Sequence, residues 1–142
     1  MKKKRQKKPD AGRPLRAKIF GTNDRRLIYA VRRLIDDLSP TIATRLQSGT
    51  VNIIFTNKRY MTELNQRYLS RNRPTDVLTF SLDLPQESPG QNLLGEIYIC
   101  REQAQQQAKT AGKKLHGELL FLVRHGLLHL AGFSHQEMNR LP

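Results

Sequence analysis

The sequence predicts a single α+β domain, in which a mixed sheet of about four strands packs against helices. Three observations point there. Four short runs, at 15–20, 51–56, 77–82 and 93–100, carry the alternation or β-branched content of strands. Around them, apolar residues recur at helical spacing. The length, 142 residues, suffices for one core and is too short for two.

Taken in order, Leu15 to Phe20 alternates apolar and basic residues, which suits an edge strand. Asn23 or Asp24 caps a helix through about Leu38, whose stripe is Leu27, Ile28, Val31, Leu34, Ile35 and Leu38. Ser39 and Pro40 are expected to end it. Arg25, Arg26, Arg32 and Arg33 form its solvated face, and Thr41 to Gln47 make a short turn of helix. Val51 to Thr56 is a strand, and Asn57 caps a helix from Lys58 to Leu69 with Tyr60, Met61, Leu64 and Tyr68 as its apolar face. Pro74 precedes a strand carrying Val77, Leu78, Phe80 and Leu82, and Pro85 to Asn92 reads as a mobile loop. Leu93 to Cys100 is the last strand. A glutamine-rich helix follows from Arg101 to Gly112, and an apolar helix runs from Lys113 or Lys114 to about Ala131.

Charge separates the chain into an arm and a body. Residues 1–14 read as a basic disordered arm, and residues 15–142 as the folded domain. The net charge is +13, and nine of the 25 basic residues fall before position 19. The remainder still holds 16 basic residues against 11 acidic ones, so the body itself should attract polyanions. The arm is either a solubilising tail or a source of nonspecific phosphate attraction. No apolar run after its charges suggests a secretory signal, and no later stretch is long enough to span a membrane. One cysteine, Cys100, suits a reducing cytoplasm and reads as a small buried hydrophobe.

The chemistry gathers in HGLLHLAGFSH. His125 and His129 stand four apart, so on a helix both imidazoles aim to the same side. Gly132 lets the chain leave through a left-handed cap and bring His135 round as a third ligand. Three neutral imidazoles with an open fourth position are what a catalytic zinc requires. The spacing follows the zinc-protease pattern HExxHxxGxxH except at Gly126, where those enzymes carry the glutamate base. The metal site is therefore expected on the C-terminal helix, without a peptidase base.

Other polar residues keep two readings. Glu118 shares a helical face with His125 and His129 about 10 Å away along the axis. It either orients a neighbouring element or interacts with the helix dipole. His116 reads as surface. Arg71 and Arg73 can hold a phosphodiester, with Thr75 and Asp76 ordering the loop or the metal site, unless the cluster is turn chemistry alone. Glu96 either has a partner within its strand's surroundings or lies on the solvent face of an edge strand.

PTDVLTF at 74–80, LGEI at 94–97 and the histidine motif at 125–135 together resemble the YbeY family of endoribonucleases, from about residue 15 onward. The resemblance implies a zinc-dependent single-strand endoribonuclease of the cytoplasm. It would act in ribosomal RNA maturation at the 3′ end of the small-subunit RNA and in ribosome quality control. Its partners would be single-stranded or ribosomal RNA, with the small subunit and its proteins. By the same likeness His125, His129 and His135 hold one Zn2+ per chain; from the residues themselves, not from the likeness, Arg71, Arg73 and Asp76 are the candidate catalytic residues. This chain departs from the family in having Phe133 for tyrosine and Ser134 for aspartate. Leu69 stands where the family carries an arginine that contributes to catalysis. Relatives also continue into an acidic helix where this chain stops, which would leave the site more open. Two rival readings are a non-catalytic zinc-containing ribosome-associated factor and a zinc hydrolase of another substrate.

Overall fold

The computed structural model describes residues 15–70, 75–82 and 93–141. The arm at 1–14, Arg71, Arg73, Pro74 and the loop from Pro85 to Asn92 lie outside the described residues. The elements run β1 (Leu15–Phe20), α1 (Arg25–Ile42), β2 (Gly49–Thr56), α2 (Lys58–Leu69), β3 (Val77–Ser81), β4 (Leu93–Cys100), α3 (Arg101–Thr110), α4 (Leu115–Leu130) and α5 (His135–Asn139). The four strands form one mixed sheet in the order β1-β2-β4-β3. β1, β2 and β4 are parallel, and β3 joins β4 antiparallel. The expected α+β class and the edge position of β1 are both found.

Alternation within the strands divides the sheet into two faces. Val51, Ile53, Phe55, Ile97 and Ile99 are buried against α1 and α4 in the main core. Leu78 and Cys100 point the other way and pack with Met61 and Leu64 of α2. Cys100 is thus the buried small hydrophobe its surroundings predicted. Among the described residues, no helix is long and apolar enough to cross a membrane.

Two expectations need correction, and one gains a partner. First, α1 does not stop at Ser39 and Pro40 but continues to Ile42 with Pro40 inside it. Proline removes a backbone donor, yet Leu38 and Ile42 extend the buried stripe by another turn, and Ile42 is completely buried. Burial of that apolar turn outweighs the lost bond. Second, Tyr60 and Tyr68 are exposed rather than part of the α2 core face, and Asn65 is buried in their place. The two tyrosines lie on other rings, Tyr60 tilted against Tyr98 at 6.0 Å and Tyr68 edgewise on Phe80 at 5.1 Å between centroids. His116 lies at the surface as expected, and there it has a partner. Its Nε2 lies 2.9 Å from Oδ2 of Asp24, the residue that caps α1, so it ties the start of α4 to the start of α1.

The placement of α4 depends on two glycines. A Cβ on Gly126 would stand 2.7 Å from Cγ2 of Ile97, and one on Gly95 would stand 2.6 Å from Cδ1 of Leu130 and 2.5 Å from the Phe80 carbonyl oxygen of β3. One glycine on the helix and one on the strand therefore let α4 lie directly on β4. Gly126→Ala should cost about 1–3 kcal/mol, the range for overpacking a filled core. Urea denaturation checks this, and a variant as stable as the wild type would show that the contact is slack.

Candidate functional site

The apolar residues of α4 face the core, which leaves Phe121, His125 and His129 along one outer stripe four residues apart. Their rings follow one another: Phe121 to His125 at 6.2 Å and His125 to His129 at 6.3 Å between centroids. His125 is half-buried and His129 exposed.

The helix then ends in a Schellman turn. Phe133 N donates to Leu128 O at 3.0 Å, and Gly132 N donates to His129 O at 2.9 Å. Gly132 has φ of +83°, a conformation that costs little only without a Cβ. The chain reverses there, and His135 comes to 5.3 Å from His125 and 6.4 Å from His129 between ring centroids. The three predicted ligands are therefore brought together.

Tetrahedral ligation through nitrogens about 2 Å from a zinc would separate imidazole centroids by about 5 Å. The His125 to His135 pair is near that spacing, and His129 stands about 1 Å farther out. Accordingly, among the described residues no group of three His, Cys, Asp or Glu side chains is set to hold a metal ion as it stands. The donor chemistry nonetheless fits. Burial, then the neighbouring His135 and His129, hold His125 below the ordinary histidine range, which favours the neutral imidazole that ligation requires.

Of the other predicted site residues, Asp76 reaches this neighbourhood. Its charge acts on His125 in the opposite sense to burial. Its carboxylate accepts from Val77 N at 2.8 Å and from Gln107 Nε2 at 3.2 Å, which fixes its direction. Thr75 Oγ1 is 3.5 Å from the same carboxylate, so turn chemistry and site geometry are both present in this segment. Arg71 and Arg73 lie outside the described residues. Glu118 is buried in the first turn of α4, as an acid suited to the helix dipole. Glu96 is not on an edge strand: β4 lies inside the sheet, and the carboxylate accepts from Asn52 Nδ2 and Tyr98 OH at 3.3 Å each. Burial, followed by the Glu96 charge, pushes Tyr98 up to about 12.

Gly126 acquires a different meaning. Its missing side chain would point at Ile97 in the core, so position 126 cannot present a base to the histidines in this packing.

Two further residues organise the site. Ser134 caps α5 and exchanges bonds with Glu137 in a capping box, so the cap survives the replacement of the family's aspartate by serine. The Ser134, Glu137 spacing in the sequence is the signal that could have located α5. Arg45, from the turn after α1, stacks its guanidinium 3.9 Å from the Phe133 ring centroid. It also donates to Gly132 O at 3.1 Å and pairs with Glu137. It thereby holds the turn that carries His135. No local pattern marked it, because its partners lie about ninety residues away in sequence.

The family model described as "Endoribonuclease YbeY" matches residues 18–141. The chain belongs to the YbeY family. Among curated relatives with that description, the protein from Beutenbergia cavernae is 40% identical over 92 residues, covering 61% of each chain. That from Salinispora tropica is 40% identical over 101 residues, covering 64% of each. That from Syntrophus aciditrophicus is 34% identical over 116 residues, covering 81% of this chain and 67% of its own. The match thus spans less than two thirds of the length of the first two relatives. The solution structure of TM1509 from Thermotoga maritima resembles this YbeY chain with a TM-score of 0.56 at 30% identity, over 84% of this chain and 75% of the other.

Arg45 and Ser134 hold the Glu137 carboxyl down, to about 2, chiefly through the hydrogen bond from Arg45. A carboxyl lowered on folding contributes stability above its ordinary value of 4.5, and that contribution disappears as the pH falls through about 2. Carbon-detected NMR titration should place the Glu137 midpoint near 2 in the wild type and closer to the ordinary value in Arg45→Met. Equal midpoints would show that Arg45 does not grip this carboxylate in solution.

Proposed function

We propose that this chain is a zinc-dependent single-strand endoribonuclease of ribosomal RNA maturation. On this reading it trims the 3′ end of the small-subunit RNA and serves ribosome quality control in the cytoplasm. Its partners are the small subunit and its proteins. The observation that carries this reading is the convergence of His125, His129 and His135 in a chain of a family described as endoribonucleases.

His125, His129 and His135 would hold one zinc, with His129, exposed and therefore free to turn, closing on the other two. When bound, zinc supplies Lewis acidity toward a phosphoryl oxygen and toward water. The protein's own residues do the rest. Burial keeps His125 neutral and available. Asp76, held by Val77 and Gln107, would take the proton from the attacking oxygen, a role closed to position 126. Arg71 and Arg73, a few residues before it in the sequence, would grip the phosphodiester and offset charge in the transition state.

One observation favours the rival reading of a non-catalytic zinc-containing factor. Leu69, at the end of α2, is exposed and apolar where the family carries its arginine. A peptide substrate is disfavoured by the packing of Gly126.

His129→Ala should lose both bound zinc and RNA cleavage while keeping its far-ultraviolet circular dichroism. Asp76→Asn should keep its metal and lose roughly 10²–10⁴-fold in cleavage rate, the range for a general base. Metal analysis beside cleavage of a small-subunit 3′-end RNA checks both. Stoichiometric zinc without cleavage in the wild type, and cleavage restored by Leu69→Arg, would instead establish the non-catalytic factor.

A further inference from the structure

Among the described residues, the second face of the sheet is only half covered. α2 packs over β4 and β3, burying Leu78 and Cys100. Toward β1 the face opens, with Arg16, Lys18 and Phe20 all exposed and Phe20 at 47%. The register fixes what lies beside each. Phe20 pairs with Ile54, which pairs with Tyr98. Lys18 pairs with Asn52, which pairs with Glu96. Residues aligned in this way share a face. One row is therefore apolar and aromatic, the next is polar with a cation at its outer end, and Arg16 adds a second cation two residues back along β1.

From this arrangement we propose that the β1–β2 half of the second face is a docking platform for single-stranded RNA, on the side of the sheet opposite the histidines. The identity of the ligand rests on the ribonuclease reading above. Phe20, flanked by Ile54, offers a face for a base to stack on. Arg16 and Lys18 meet the phosphates. Glu96 lies between, where a carboxylate reads exocyclic amino groups of bases, and Asn52, its amide oxygen buried, donates to that carboxylate from beside it. Tyr60, exposed and leaning on Tyr98, forms the α2 side of the platform.

Cations on an edge strand also guard against edge-to-edge pairing. That purpose needs no exposed phenylalanine beside Ile54. The other available occupants fit less well. The basic segment before residue 15 and a second copy of the chain would each bring positive charge to a face whose rim is Arg16 and Lys18. A polyanion with flat aromatic groups satisfies both the charge and the rings.

Fluorescence anisotropy of the full chain tests this, using a labelled single-stranded oligouridylate of about 12 nucleotides and a duplex of equal length, with EDTA present to prevent cleavage. Phe20→Ala should weaken single-strand binding about tenfold and leave duplex binding unchanged. The pair Arg16→Ala and Lys18→Ala should lower the salt dependence of single-strand affinity, by about 0.7 in logarithmic slope per residue. Circular dichroism verifies that both variants fold. Single-strand binding unaltered in both variants, with RNA cleavage seen in a parallel reaction without EDTA, would overturn the platform while leaving the ribonuclease reading intact. Displacement of the RNA by oligoglutamate with the same dependence on Phe20 would also overturn it, in favour of an acidic protein partner. A wild type that binds no single-stranded RNA would overturn both.

Discussion

The contact between α4 and β4 governs the rest of this molecule. A Cβ on Gly126 would crowd Ile97, and one on Gly95 would crowd Leu130 and the Phe80 carbonyl, so neither fits unless a neighbour shifts. That approach buries one side of α4, and the remaining outer stripe is where Phe121, His125 and His129 stand. A helix lifted by even one methyl group would carry the histidines away from Asp76, whose own position is set by β3 and by Gln107 of α3. The site is therefore a consequence of close packing before it is a set of ligands.

Around that contact the structure adds fastenings at both ends of α4. At its start, His116 binds the residue that caps α1. At its end, the Schellman turn at Gly132, the α5 capping box and the Arg45 guanidinium hold His135 in register with the other two rings. Arg45 and Glu137 are both solvent-exposed, so their ion pair alone supplies little stability. Its value lies in direction: one guanidinium engages a ring, a carbonyl and a carboxylate of the same turn.

Much of this was legible in the sequence where local rules and burial agree. β1, α2 and β4 have the expected limits because alternation, an asparagine cap and a β-branched run all point the same way. The left-handed exit at Gly132 and the gathering of three histidines also follow from spacing. Where the reading went astray, a distant partner overrode a local rule. Pro40 should end a helix, but burial of Ile42 carries it on. Tyr60 and Tyr68 fit a helical stripe, yet they rest on rings of the sheet at the surface. Gly126 looked like a missing base, and it is a packing requirement that only the position of Ile97 reveals. Arg45 could not be found locally at all. The short helix α5 had its signature in Ser134 and Glu137, but five residues are too few for periodicity to show.

Central to the molecule is the proposed gathering of three imidazoles on one metal by packing and turn geometry. X-ray absorption at the zinc edge, on protein purified without chelator and loaded with one equivalent, measures this directly. Three histidine nitrogens at about 2.0 Å are the expected result. Fewer imidazoles in the coordination shell, or zinc that washes out at stoichiometric loading, would contradict it.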